Sequence, residues 1–142
     1  MIRQLAHICF FTDQLDRMID FYSKQLGLKV KFILYNKEKK PFGYYFACGQ
    51  STFLEVFDQT LAVQEWGGKI ESFTGKRGHY QHLCFEVVDL ENFRAELLAK
   101  GIQVTEITIG LEHSKQAWIN DPDGNAIELM EYTTNSLQLR GR

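Results

Sequence analysis

The chain has 142 residues, enough for one domain or two small fused modules, and for a core that needs no disulfide staples. Hydrophobic residues make up 44%, aromatic residues 13% and charged residues 24%, and the net charge is −2, so no surface for nucleic acid or an anionic membrane is expected. The apolar runs fall far short of the ~18 residues a membrane span needs. Met1-Ile2-Arg3-Gln4 leads straight into a strand pattern, and the three cysteines (Cys9, Cys48, Cys84) are odd in number and form no CxxC pair. The expectation is a reduced cytoplasmic protein without a signal peptide.

In chain order, Leu5 to Phe11 alternates as a strand, with Leu5, His7, Cys9 and Phe11 on one face. Thr12 or Asp13 is placed to cap a helix with Leu15, Met18, Ile19, Tyr22 and Leu26 on its apolar face, and Gly27 takes the position that ends it. Strands then follow over Leu28 to Tyr35, Tyr44 to Ala47 and Thr52 to Phe57, with a charged hairpin tip at Lys37 to Lys40. The first half therefore reads β-α-β-β-β.

Asp58 to His79 is interrupted by Gly67, Gly68, Gly75 and Gly78 and reads as a linker with a short helix over Leu61 to Trp66. Trp66 and Phe73 imply that it packs on something. Lys76, Arg77 and His79 are read as solvated loop residues. Tyr80 to Val87 is a strand, and Asp89 caps a helix carrying Leu90, Phe93, Leu97 and Leu98 that ends at Gly101. Ile102 to Ile107 and Lys115 to Asn120 are strands, and His113 lies in an exposed loop between them. The boundaries are module one over about 4–58, a linker over 59–78, module two over about 79–133, and a tail over 134–142.

Asp121-Pro122-Asp123-Gly124-Asn125 is turn chemistry before a last strand, Ala126 to Tyr132. On that strand Glu128 stands between Ala126 and Met130 on one face, with Ile127 and Leu129 on the other. Taken alone, Glu128 reads as a solvated edge-strand acid, because burying it uncompensated would cost several kcal/mol.

An internal repeat changes that. His7-Ile8-Cys9-Phe10 matches His82-Leu83-Cys84-Phe85, 75 residues on; Gly27-Leu28-Lys29-Val30 matches Gly101-Ile102-Gln103-Val104, 74 on; Phe53-Leu54-Glu55-Val56 matches Ala126-Ile127-Glu128-Leu129, 73 on. Each copy has a His on its first strand and a Glu on its last. If the copies pair about a pseudo-twofold axis, two imidazoles and two carboxylates converge, and a divalent cation is the economical counter-charge. Two nitrogens and two oxygens suit Zn, Ni, Co, Mn or Fe better than Ca or Mg.

The His7 strand, the helix passing Phe21-Tyr22 into Leu26-Gly27-Leu28, the His82 strand and the Asp121-Pro122-Asp123-Gly124-Asn125 turn before Ile127-Glu128-Leu129 resemble the vicinal oxygen chelate superfamily, over about Leu5 to Tyr132. The superfamily comprises glyoxalases, bleomycin-resistance proteins and extradiol dioxygenases. The resemblance implies a single α+β domain in which two βαβββ modules pair into a cupped eight-stranded mixed sheet, with helices outside and one divalent metal in the cup. It also implies a homodimer. The filled set His7, Glu55, His82 and Glu128 is similar to that of glyoxalase I, and Glu55 is the discriminating member. By resemblance the activity is a metal-dependent lyase or isomerase step on a small substrate with vicinal oxygens, such as a thiol hemithioacetal, passing through an enediolate, with Glu128 or Glu55 as the base. The alternatives are a non-catalytic small-molecule binding or resistance protein and an Fe(II)-dependent dioxygenase-like enzyme.

Glyoxalase I usually carries an Arg four residues after its first ligand; that position is Phe11 here, and the family's Asn after the second ligand is Gln59. Losing the charged contact removes on the order of 1.5–3 kcal/mol, which puts glutathione in doubt. Phe11, Phe53, Phe57, Gln59, Trp118 and Met130 are the expected pocket residues, with Tyr132 placed beside them. Cys9 and Cys84 are read as small core residues.

Overall fold

His7 and Glu55 come from distant parts of the sequence and from neighbouring strands, and the topology is what joins them. In the computed structural model, which describes residues 5–70 and 82–139, the chain divides into two units, Met1–Thr74 and Gly75–Arg142. The first unit runs β1 (His7–Thr12), α1 (Leu15–Asp20), β2 (Lys29–Tyr35), β3 (Pro41–Ala47), β4 (Phe53–Asp58) and α2 (Gln59–Trp66). Its sheet order is β1-β4-β3-β2. β1 and β4 are parallel and the other pairs antiparallel.

The second unit runs β5 (Leu83–Glu86), α3 (Leu90–Ala99), β6 (Thr108–Ile109), β7 (Lys115–Asn120) and β8 (Ala126–Glu131), with sheet order β5-β8-β7-β6. Here too the first and last strands are parallel and the rest antiparallel. The α+β class and the two βαβββ modules are thus as expected, each built on a four-stranded mixed sheet. No helix among the described residues is long and apolar enough to cross a membrane.

In the first unit α1 packs on β4. It starts at Gln14 rather than with a side-chain cap, and the Thr12 hydroxyl accepts instead from the Gln14 N–H at 3.0 Å. The helix continues as a π turn over Phe21–Gln25, closed by Leu26 N–H donating to the Phe21 carbonyl. One extra residue in that turn lets the adjacent Phe21 and Tyr22 both be buried, their rings edge to face at 5.2 Å. Tyr22 meets Phe46 of β3. Gly27 ends the segment at φ +77°, and Leu28 N–H reaches back to the Tyr22 carbonyl.

The stretch after β4, read from sequence largely as linker, is anchored. Asp58 accepts from Leu61 N–H at 2.8 Å and caps α2. Ala62 of α2 joins Phe42 and Phe57 in a buried cluster, and Trp66 lies edge-on to both rings.

In the second unit Asp89 caps α3 as expected, holding a left-handed conformation while its carboxylate accepts from Asn92 N–H. Glu131 of β8 accepts from Leu90 N–H at 2.7 Å, which ties the start of α3 to the sheet.

The strand expected over Ile102 to Ile107 does not form; only Thr108–Ile109 pairs regularly with β7. The cause is Thr105. Its hydroxyl, not a carbonyl, accepts from Trp118 N–H, and its own carbonyl accepts from Arg94 Nε, so the ladder is broken there. The strand expected to begin at Tyr80 is described only from Leu83. Lys76, Arg77, His79 and Phe73 lie outside the described residues.

The tail, patternless in sequence, turns back within its own unit. Ser136 is buried and shares a hydrogen bond with Ser114, and Leu137 N–H donates to the Glu112 carbonyl.

Gly43 of β3 pairs with Phe57 of β4, and the Phe57 ring lies over it so closely that a Cβ there would overlap the ring. Gly43→Ala is therefore expected to destabilise the protein by about 1–3 kcal/mol through overpacking. A urea midpoint equal to wild type would show that Phe57 relaxes freely.

Candidate functional site

Each unit places one histidine beside one buried carboxylate, and in each the parallel strand pair does it. In the first, Cys9 of β1 is the register partner of Glu55 of β4, so His7, one pleat earlier on the same face, flanks the carboxylate. His7 Nδ1 lies 3.1 Å from Glu55 Oε1. In the second, Cys84 of β5 is the register partner of Glu128 of β8. There His82 Nε2 lies 3.2 Å from Glu128 Oε2.

The carboxylates are only 4% and 6% exposed, whereas both imidazoles keep substantial access to solvent. Glu128 is therefore not the solvated edge acid that its strand alone implied.

The thiols and the phenol beside the carboxylates are neutral groups. Burial, together with the charge of Glu55 and a hydrogen bond to it, pushes the Cys9 thiol up to about 12. Burial and the same kinds of contact with Glu128, with smaller effects from Glu112 and Glu86, push the Cys84 thiol up to about 12. Both cysteines retain exposed atoms, but the thiols themselves are desolvated enough to stay protonated at neutral pH. Tyr45, the β3 register partner of Glu55, is pushed up to about 12 by burial, by its hydrogen bond to Glu55 and by that group's charge. Each carboxylate thus meets proton donors that carry no positive charge.

Glu55 Oε1 is buried and has no hydrogen-bond partner. The 3.1 Å approach of His7 Nδ1 satisfies a distance but not a hydrogen-bonding alignment. A carboxylate oxygen and an imidazole nitrogen side by side and out of hydrogen-bonding alignment are two donor atoms of the kind that suit a cation. His7, Glu55, His82 and Glu128 offer two nitrogens and two carboxylates, a donor set that fits a divalent transition metal. Among the described residues no group of three or more His, Cys, Asp or Glu is arranged to hold a metal ion; within each unit the donors come as a pair.

The expected pocket residues fall into two kinds. Phe11 is 38% exposed and stands edge-on to Phe57. Phe53 is half-buried and edge-on to Tyr45, and Trp118, the β7 partner of Glu128, packs edge-on against the His82 ring at 4.8 Å. Phe57, Gln59 and Met130 are buried. Phe57 lies under α2, Gln59 starts that helix, and Met130 accepts a contact from Gln138 Nε2 of the C-terminal turn. In both units the residue two beyond the Glu is covered by the segment that follows the module.

Tyr45 is the functional candidate that the sequence reading missed. Its signal was present: it stands 73 residues before Trp118, the spacing that separates Glu55 from Glu128.

The turn before β8 carries the structure expected of it. Asp121 is buried, its Oδ1 accepts from Asp123 N–H and Asn125 N–H at 3.0 and 2.9 Å, and its Oδ2 accepts from the Asn125 side chain at 2.8 Å. Gly124 holds φ +80° and donates to the Asp121 carbonyl. This closes the β7–β8 hairpin and fixes the register that puts Glu128 opposite Trp118.

A model of the Glyoxalase/Bleomycin resistance protein/Dioxygenase superfamily matches residues 4–129. The lactoylglutathione lyase of Escherichia coli O157:H7 is 30% identical over 131 residues, covering 90% of this chain and 92% of that one. Among solved structures, SMU.1112c superposes with a TM-score of 0.75 at 29% identity, covering 92% of this chain and 100% of the other. TnmS3, an antibiotic binding protein from Streptomyces sp. CB03234, superposes at 0.69 and 20% identity, covering 93% and 98%, a likeness of fold alone. The chain belongs to the glyoxalase/bleomycin resistance/dioxygenase superfamily, and within it shows distant similarity to lactoylglutathione lyases.

Asp121→Ala removes three accepted hydrogen bonds from a buried turn and is expected to cost on the order of 2–3 kcal/mol. An unchanged thermal midpoint would show that the turn holds without its carboxylate.

Proposed function

We propose that the His7–Glu55 and His82–Glu128 pairs are ligands for a divalent metal, and that the protein is a glyoxalase I-type lyase or isomerase. The observation that carries this is the pair of buried carboxylates, each beside an imidazole, with Glu55 Oε1 unpartnered. The distant similarity to lactoylglutathione lyase supports it.

A bound Zn, Ni, Co, Mn or Fe ion would supply Lewis-acid polarisation of two adjacent substrate oxygens. His7 and His82 would be ligands to the ion through their ring nitrogens. Glu55, hydrogen-bonded by Tyr45 and Cys9, stays a ligand. Glu128, beside the Cys84 thiol and His82, would act as the base. It takes a proton from the carbon beside the substrate carbonyl and returns it to the neighbouring carbon. The hydrogen changes carbon, carbonyl and hydroxyl exchange places, and no oxidant or reductant is consumed. Phe11 offers an apolar contact where a cation would favour an anionic substrate arm, so a thiol adduct other than glutathione's fits as well.

The test is metal titration joined to a hemithioacetal assay with methylglyoxal and glutathione or another thiol. His7→Ala and His82→Ala are each expected to weaken metal binding at least tenfold. Glu128→Gln is expected to lower turnover about 10²- to 10⁴-fold. Metal stoichiometry unchanged in both His variants would overturn the centre. Ligand binding that survives chelation would identify a binding protein instead, and a requirement for Fe(II) and O₂ a dioxygenase.

A further inference from the structure

The segment after each module covers the residue two beyond its Glu, but different forces hold the two covers. α2 lies on Phe57 through Ala62 and Trp66, with Phe42 beside them, so apolar burial fixes it. Residues 133–139 lie against Met130, and the two apolar side chains they carry, Leu137 and Leu139, are both exposed. The turn Leu137–Leu139 has no buried residue. Polar groups do the holding.

Ser136 is the centre of that hold. Ser114 and Ser136 are fully buried, and their hydroxyls share a hydrogen bond of 2.9 Å. Around it, Leu137 N–H donates to the Glu112 carbonyl at 2.9 Å, the Thr133 hydroxyl donates to the His113 carbonyl at 2.7 Å, and Gln138 Nε2 donates to Met130 Sδ at 3.8 Å. All but the last of these land on one short loop, 112–114. The segment is also folded on itself. Thr133 N–H donates to Ser136 Oγ at 2.8 Å, Asn135 N–H donates to Thr133 Oγ1 at 3.1 Å, and Leu139 N–H donates to the Ser136 carbonyl at 3.1 Å. A piece that keeps its own bonds and is attached at one loop can leave as a body, turning about Thr133. Its attachment is weak in net terms, because water replaces each neutral hydrogen bond that breaks.

Met130 follows Glu128 on the same face of β8, and it is buried. We infer that residues 133–139 are a hinged strap, latched by the Ser114–Ser136 hydroxyl pair, whose opening lets small solutes reach the Met130 end of the Glu128 face while the sheet of the second unit stays folded. Openings of this kind draw on the low end of a protein's range of local stabilities. Every residue of the latch belongs to the second unit, and the strap needs no bound metal to act.

The test uses the full chain without added metal. Dilute hydrogen peroxide is the solute: the thioether sulfur takes one oxygen, and the O–O bond breaks to leave water. Oxidation is followed peptide by peptide, with Met18, fully buried in α1, as the reference. Amide exchange of residues 133–139 and of β8 is followed in parallel, in water and in sub-denaturing urea. In wild type the 133–139 amides are expected to exchange roughly tenfold or more faster than those of β8, at a rate that urea hardly changes. Ser114→Ala breaks the latch and leaves the strap's own bonds. It is expected to raise both that exchange and Met130 oxidation about three- to tenfold, the worth of one hydrogen bond, with Met18 and the β8 amides unchanged.

Met130 oxidation equal in Ser114→Ala and wild type would show that the strap does not govern access, and would overturn the inference. A rise shared by Met130, Met18 and the β8 amides would show global unfolding and overturn it as well. If Ser114→Ala does not fold, wild type alone decides. Met130 oxidation flat in urea while Met18 oxidation climbs supports the strap, and the two climbing together would overturn it.

Discussion

Two carboxylates buried on sheet strands are the constraint around which each unit is built. An ionised carboxylate taken out of water without a counter-charge costs several kcal/mol even after the protein relaxes. Against that, Glu55 has a thiol, a phenol and an imidazole that is out of hydrogen-bonding alignment, and Glu128 has a thiol and an imidazole. A hydrogen bond to a charged group returns about 1.5–3 kcal/mol, so one or two neutral donors offset part of the cost and leave the charge in place. No lysine or arginine makes an ion pair with either carboxylate among the described residues.

The topology explains why the pairs exist at all. An antiparallel meander alone would put the last strand of each module beside the one before it and nothing more. The return of the last strand to lie parallel to the first brings β4 against β1 and β8 against β5. This sets the His–x–Cys face of one strand against the Glu of the other. Register then does the fine placement. Cys9 is level with Glu55 and Cys84 with Glu128, and the turn locked by Asp121 keeps β8 from slipping. A one-residue slip would turn Glu128 to the opposite face of the sheet.

The His–Glu pairs and the βαβββ order were legible in the sequence because they repeat, and a repeat reports positions that single-strand periodicity cannot. What was not legible depends on contacts that leave no period. Ile102 to Ile107 has strand composition, yet the Thr105 hydroxyl replaces a ladder carbonyl and the regular pairing shrinks to two residues. Residues 134–139 carry no amphipathic signal, because Ser136 is held by a hydroxyl pair with Ser114 and not by apolar burial. Trp66 did announce that it packs on something, and its partners are Phe42 and Phe57. Phe57 and Met130 look like pocket residues from their place two beyond each Glu. Only the covering segments, α2 and the C-terminal turn, show them buried.

Duplication makes two equal halves, and the differences between them have chemical content. The residue four beyond the first His is Phe11, edge-on to Phe57; four beyond the second it is Glu86, whose charge is felt at Cys84 together with that of Glu112. The first unit thus surrounds its pair with rings: Phe11, Phe32, Tyr45, Phe53 and Phe57. The second surrounds its pair with acids and a single indole. Negative charge next to one pair raises the cost of bringing an anionic ligand there and lowers the cost of a cation, while the ring-lined pair favours apolar or planar groups.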